Sequence, residues 1–138
     1  MHPFHIDFLD HVAIRVKDLE VSAQWYERTL GLVHYSPKAW QPFPIFLMVG
    51  KTGIALFPAN AAHPALDHTS KNVKIDHFAF QLSQEDFAKA RAHYEQLGLT
   101  YNFQDHHYFH SIYTRDPDGH TVELTTLVVP ETDFYQPQ

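Results

Sequence analysis

The chain has 138 residues, of which 44% are apolar and 19% charged, and its formal net charge is −6. That is the length of one domain, long enough to bury about two-thirds of the unfolded surface, and the composition is that of a packed globule. The negative charge without any basic run argues against nucleic acid and anionic membrane as partners. The absence of cysteine excludes disulfides, zinc–thiolate centres and cysteine nucleophiles. The opening MHPFHIDFLDH has neither a basic start nor a long apolar run, which predicts no secretion signal or membrane span and a cytoplasmic location.

In chain order, residues 9–16 alternate like a strand. Asp18 is placed to cap a helix whose apolar positions include Val21, Trp25 and Leu30, and Gly31 stops it. Strands are predicted over about 33–40, 45–49 and 53–57, with Pro42 and Pro44 loosening the first connection. Residues 58–73, rich in Pro, Ala, Asn, His and Ser, read as a linker. A strand over 75–82 follows. Ser83 then caps a helix with Asp86 three residues on, carrying Phe87, Ala90, Tyr94 and Leu97 at helical spacing and ending at Gly98. Three more strands are predicted, about 100–103, 108–115 and 120–128. The last two are joined by Asp116-Pro117-Asp118-Gly119, where Pro presets one angle and Gly supplies a positive φ. The tail, 129–138, is expected to be loosely held.

The chain repeats itself. Leu9-Asp10-His11-Val12-Ala13-Ile14-Arg15-Val16 reads like Ile75-Asp76-His77-Phe78-Ala79-Phe80-Gln81-Leu82, 66 residues on. Trp25-Tyr26-Glu27…Gly31-Leu32 reads like His93-Tyr94-Glu95…Gly98-Leu99. The fold class is therefore α+β: one domain of two tandem βαβββ modules, about 8–57 and 74–128. The expected form is a cup-shaped half-barrel sheet with helices on its outer face.

Strand side chains alternate between faces. Val12, Ile14 and Val16 oppose His11, Ala13 and Arg15; Phe78, Phe80 and Leu82 oppose His77, Ala79 and Gln81; Val122 and Leu124 oppose Thr121, Glu123 and Thr125. The bulky faces must pack on the helices, leaving His11, His77 and Glu123 on the open side. A carboxylate facing a cavity from mid-strand is costly unless it is paired or coordinated. Two His and one carboxylate with open positions form the facial triad that suits non-haem Fe(II), and Mn(II) also suits such ligands; Zn(II) and Ni(II) are further candidates. Of the twelve histidines, His2, His5, His63, His68 and His93 are assigned no role, and those of His107, His110 and His120 stay open. Trp40, Phe46, Phe57, Tyr101, Phe103 and Phe109 are candidates for an aromatic wall.

These motifs, with Tyr113-Thr114-Arg115-Asp116-Pro117-Asp118-Gly119-His120-Thr121-Val122-Glu123, resemble the vicinal oxygen chelate superfamily of glyoxalase I, bleomycin-resistance proteins, fosfomycin-resistance enzymes and extradiol dioxygenases. The likeness covers about 8–128. It implies metal ligands at His11, His77 and Glu123, with a fourth family position occupied by Ala55 or Phe57, neither of which binds metal. The second half also resembles the extradiol dioxygenase signature: His106, five residues, Ile112-Tyr113, the Asp-Pro-Asp-Gly turn and Glu123, with Gln104 departing from its usual small or apolar residue. That likeness implies Tyr113 as a hydroxyl aimed at a metal-bound substrate oxygen and His106 as general base.

The expected function is a divalent-metal-dependent enzyme that chelates a small substrate through vicinal oxygens, with extradiol-dioxygenase-like chemistry first. The alternatives are a glyoxalase-like lyase or isomerase, a thiol transferase, or a non-catalytic drug- or metabolite-binding protein. Fosfomycin resistance ranks low, because the basic phosphonate-binding residues of that family are not evident. A homodimer is expected, with His11 from one chain meeting His77 and Glu123 either within that chain or on a second copy.

Overall fold

The structure, a computed structural model, describes residues 2–135. It divides the chain into two compact units, Met1–Ala65 and Leu66–Gln138. The boundary falls inside the predicted linker.

Unit 1 runs β1 (His11–Val16), α1 (Leu19–Leu30), β2 (Val33–Tyr35), β3 (Ile45–Val49) and β4 (Thr52–Pro58). Its sheet has the order β1-β4-β3-β2, with β1 parallel to β4 and the other pairs antiparallel. Unit 2 repeats the plan with β5 (Phe78–Gln81), α2 (Gln84–Gln96), β6 (Asn102–Asp105), β7 (Phe109–Arg115) and β8 (Thr121–Leu127), in the order β5-β8-β7-β6. Both units are thus βαβββ, as the repeat predicts. The parallel pair arises because a helix carries the chain back across the sheet before the remaining strands meander.

The predicted caps hold. Asp18 Oδ1 accepts from the Val21 amide at 3.1 Å, and Ser83 Oγ accepts from the Asp86 amide at 3.1 Å. Gly31 (φ 68°) and Gly98 (φ 72°) take the left-handed conformation that ends each helix. The helix-facing sides of the sheets are buried as alternation requires: Ile14, Val16, Leu47, Ile54 and Leu56 in unit 1, Ile112, Val122 and Leu124 in unit 2. Tyr26 and Tyr94, equivalent in the repeat, lie fully buried on their helices.

Several elements differ from expectation. The strand predicted over 33–40 stops at Tyr35 and gives way to a 3₁₀ turn, Lys38–Trp40. Pro37, Pro42 and Pro44 cannot donate to a ladder, so pairing ends early. Val21 is 51% exposed; Ser22 and Ala23 are buried in its place, their small side chains letting α1 approach the sheet. The second module's first strand is shorter than 75–82, with Ile75 exposed before pairing begins at Phe78. β6 starts two residues later than predicted, after Thr100 has spent its carbonyl on the Thr114 hydroxyl (2.9 Å). The tail is not loose through residue 134: Glu131–Asp133 forms a 3₁₀ turn, and the Phe134 ring packs on Phe109 and Tyr108 at 4.6 and 5.4 Å. Residues 136–138 of that tail lie outside the described residues.

Candidate metal centre

The open face of unit 2 carries the densest chemistry. In the ladder Ala79 pairs with Glu123, and Glu123 with Tyr113, so the carboxylate and the phenol are cross-strand neighbours on one face. Glu123 is only 8% exposed. Its Oε1 lies 2.9 Å from His77 Nε2, and its Oε2 accepts a 2.8 Å hydrogen bond from Ser111 Oγ. Ser111 in turn lies 2.9 Å from Thr125 Oγ1, so two hydroxyls from neighbouring strands steady the carboxylate. On the other side of the His77 ring, Nδ1 is 2.7 Å from Asp76 Oδ2. A proton donated there frees Nε2 as a ligand atom, which is the usual way a second carboxylate orients a metal-binding histidine. That hydrogen bond is the main reason the Asp76 carboxyl is held below its ordinary range, with Lys74 and Lys71 adding to it.

Tyr113 OH is 2.8 Å from His106 Nε2, and its ring packs edge-on against His77 at 5.7 Å. Burial, reinforced by the Glu123 charge, pushes the Tyr113 phenol above its usual range. It therefore stays protonated near neutral pH and acts as a donor. His106 is pinned through its backbone: its amide donates to Phe109 O and its carbonyl accepts from the Tyr108 amide, both at 2.8 Å. Between them His107 takes φ 73°, and its amide donates to Asp105 Oδ1 at 2.9 Å.

The donor pair fits a divalent ion. Bonds of about 2.1 Å at right angles put adjacent donor atoms about 3 Å apart, and His77 Nε2 and Glu123 Oε1 stand 2.9 Å apart. Among the described residues no group of three His, Asp or Glu side chains is gathered for a metal. The structure thus brings His77, Glu123, Tyr113 and His106 together in unit 2. His11 lies in unit 1, where Nδ1 meets Asp10 Oδ2 at 2.8 Å and the Phe46 ring lies 5.1 Å away.

The register settles the blank position. Ala13 pairs with Ala55 as Ala79 pairs with Glu123, so Ala55, not Phe57, is the counterpart of the carboxylate. Phe46, paired with Ala55, likewise stands where Tyr113 stands in unit 2. Of the six wall aromatics, Trp40 stacks on Phe46 at 5.1 Å and Phe57 lies under Arg15. Tyr101 and Phe103 instead hold the Arg91 guanidinium of α2, and Phe109 packs on the tail. Phe103 pairs with Ile112 and so falls on the helix side of the sheet. Sequence reasoning missed Ser111 and the two aspartates. The repeated Asp-His pair and the position of Ser111, two residues before Tyr113 on the same face, were the signals available.

Comparison with known proteins identifies the family. Residues 8–124 match the model of the Glyoxalase/Bleomycin resistance protein/Dioxygenase superfamily, and the chain belongs to that superfamily. The glutathione transferase FosA of Serratia marcescens is 30% identical over 116 residues, 84% of this chain and 78% of that protein. Among solved structures, a glyoxalase/dioxygenase from Nostoc punctiforme superposes with a TM-score of 0.79 at 18% identity, covering 94% of this chain and 97% of the other. An integron cassette protein from Halifax Harbour sewage outfall reaches 0.68 at 27% identity, covering 88% and 100%. No helix among the described residues is long and apolar enough to cross a membrane.

Proposed function

We propose that the chain is a divalent-metal-dependent enzyme that binds a small substrate through two vicinal oxygens, and that extradiol ring cleavage is its reaction. The gathering of His77, Glu123, Tyr113 and His106 on one face carries this reading. His77 and Glu123, joined by His11 at the repeat-related position, hold the ion, with Fe(II) or Mn(II) favoured and Zn(II) or Ni(II) as alternatives. A homodimer is part of the proposal, with the His11 that completes the set supplied by the same chain or by a second copy. The metal would supply a Lewis acid that orients the two oxygens. His106 Nε2, 2.8 Å from the Tyr113 hydroxyl, accepts its proton. The Tyr113 oxygen in turn takes the proton lost by the substrate oxygen nearest it, so one proton passes from substrate through Tyr113 to His106 and the phenol is restored. Ser111 and Thr125 keep the carboxylate from turning away.

A second reading has its own support. The 30% identity to a glutathione transferase favours thiol addition at the same site, with His106 taking the thiol proton. A glyoxalase-like lyase or isomerase would use the same groups. Anaerobic purification, elemental analysis and sedimentation come first, followed by oxygen uptake with catechols and thiol consumption with glutathione and electrophiles. Stoichiometric metal with oxygen uptake is the expected result. Thiol consumption without oxygen uptake selects the transferase. Metal-free protein that binds small molecules without turnover overturns the enzyme reading.

A further inference from the structure

The segment joining the repeats, predicted as a plain linker, closes a cleft of about 570 Å³ in unit 2. One wall is residues 68–71 and Lys74; the other is built from β6, β7 and Thr121, and Tyr113 forms part of it. Arg115, two residues beyond Tyr113 on the same strand and face, also lines it. The cleft is a built feature. The His68 ring packs on Gly119 so closely that a Cβ there would lie 3.0 Å from it, and Gly119 has φ +88°. Lys74 Nζ donates to His68 O at 2.7 Å, and Arg115 NH1 donates to Gly119 O at 3.1 Å.

The charge around this cleft is unbalanced. Lys71, Lys74 and Arg115 face it with a single carboxylate, Asp76, which His77 already engages at 2.7 Å. Among the described residues none of the three cations is in an ion pair, and Lys74 and Arg115 bond to carbonyls; the carboxylates that feel the two lysines are Asp76 and, for Lys74, Asp67, both held below their ordinary range. Like charges drawn together on a chain of net charge −6 repel one another and favour an anion between them. Arginine adds a planar fork suited to a carboxylate or phosphonate.

We propose that this cleft is an anion subsite: Lys71, Lys74 and Arg115 hold a carboxylate or phosphonate group of the substrate, whose remaining part passes Tyr113 toward His77 and Glu123. The second half of this statement rests on the metal-enzyme reading; the first does not. The three cations are scattered in sequence, Lys71 in the linker and Lys74 and Arg115 in the second module, so no basic run marks the cleft.

The test uses the full chain, first stripped of metal with a chelator. Phenylphosphonate and benzoate are titrated against phenol while backbone amides are followed by NMR. Phenylphosphonate is expected to shift the amides of 68–74 and 113–121 and to weaken with added salt, while phenol leaves them in place. Lys71→Gln with Lys74→Gln, and separately Arg115→Gln, should lower its affinity about tenfold; Lys71→Arg should retain it. Unchanged binding in folded variants, or shifts spread over other lysines, overturns the subsite. Metal-loaded protein then gives the ratio of kcat/KM for 3,4-dihydroxybenzoate over catechol. Turnover of both without preference overturns the subsite alone. Anion binding as described in a protein that takes up no metal overturns the enzyme reading alone.

Discussion

The two units share one scaffold and differ at matched rungs. Each begins with an Asp-His pair, each seats a buried tyrosine from its helix, and each runs its first strand parallel to its last. Yet where unit 2 has Glu123 beside Tyr113, unit 1 has Ala55 beside Phe46, and where unit 2 has Gln81, unit 1 has Arg15 stacked on Phe57. The comparison shows what a duplicated sheet permits. The ladder fixes where a side chain projects, so changing two residues on one rung turns an aromatic surface into a polar donor cluster without disturbing strand order. Of the two metal-donor positions in unit 2, only the histidine has its counterpart in unit 1, so the proposed ion takes one nitrogen from unit 1 and two donors from unit 2.

The largest way to break this contrast is to exchange the rung residues. Glu123→Ala should abolish metal uptake and lower turnover at least about 10³-fold, read by elemental analysis and kinetics, with the fold intact by circular dichroism. The reciprocal Ala55→Glu puts a charge at a site with no solvent exposure and should destabilise unit 1 by several kcal/mol, on the order of 3–5, seen as a fall in Tm. Next in size, Tyr113→Phe and His106→Ala should each cut kcat about 10²-fold while metal content holds. Phe46→Tyr, the matching change in unit 1, should leave kcat near wild type. Asp76→Asn and Asp10→Asn should each weaken metal binding about tenfold, and to similar extents if both histidines are ligands. A change confined to Asp76 would remove His11 from the site. The smallest effect concerns the core. The Tyr94 hydroxyl is buried without a partner, so Tyr94→Phe should be neutral or raise stability by up to about 1 kcal/mol. Burial also pushes the Tyr94 phenol up. Above the ordinary tyrosine pKa the unfolded chain loses this proton while the folded chain keeps it, so stability falls as pH rises, and Tyr94→Phe should remove that share of the alkaline loss.

Much of the scaffold was legible in the sequence. The duplicated Asp-His strands, the capping Asp18 and Ser83 and the stop glycines are local signals, and local physics decides them. Alternation also sorted His11, His77 and Glu123 onto the open faces correctly, because a period of two leaves no other choice once the bulky residues are buried. Element ends were less legible: prolines cut β2 short, and the burial of Ser22 and Ala23 instead of Val21 depends on how closely α1 meets its sheet. The support for Glu123 was hidden for a different reason. Ser111 and Thr125 are ordinary strand residues until the pairing of β7 with β8 sets them side by side.

Sequence alone determined that this chain is two copies of one βαβββ unit, with a histidine repeated on the open side of each first strand. Those features follow from periodicity and caps within a few residues of each other. Tertiary structure decided which donors meet. His77 and Glu123 are 46 positions apart in the chain and come within 2.9 Å only because β5 pairs with β8. Lys71 and Lys74 line one cleft with Tyr113 and Arg115, where the His68 ring packs against Gly119. Side-chain pairing across strands is set by register, a long-range choice made by the burial of the whole sheet, and no local pattern encodes it.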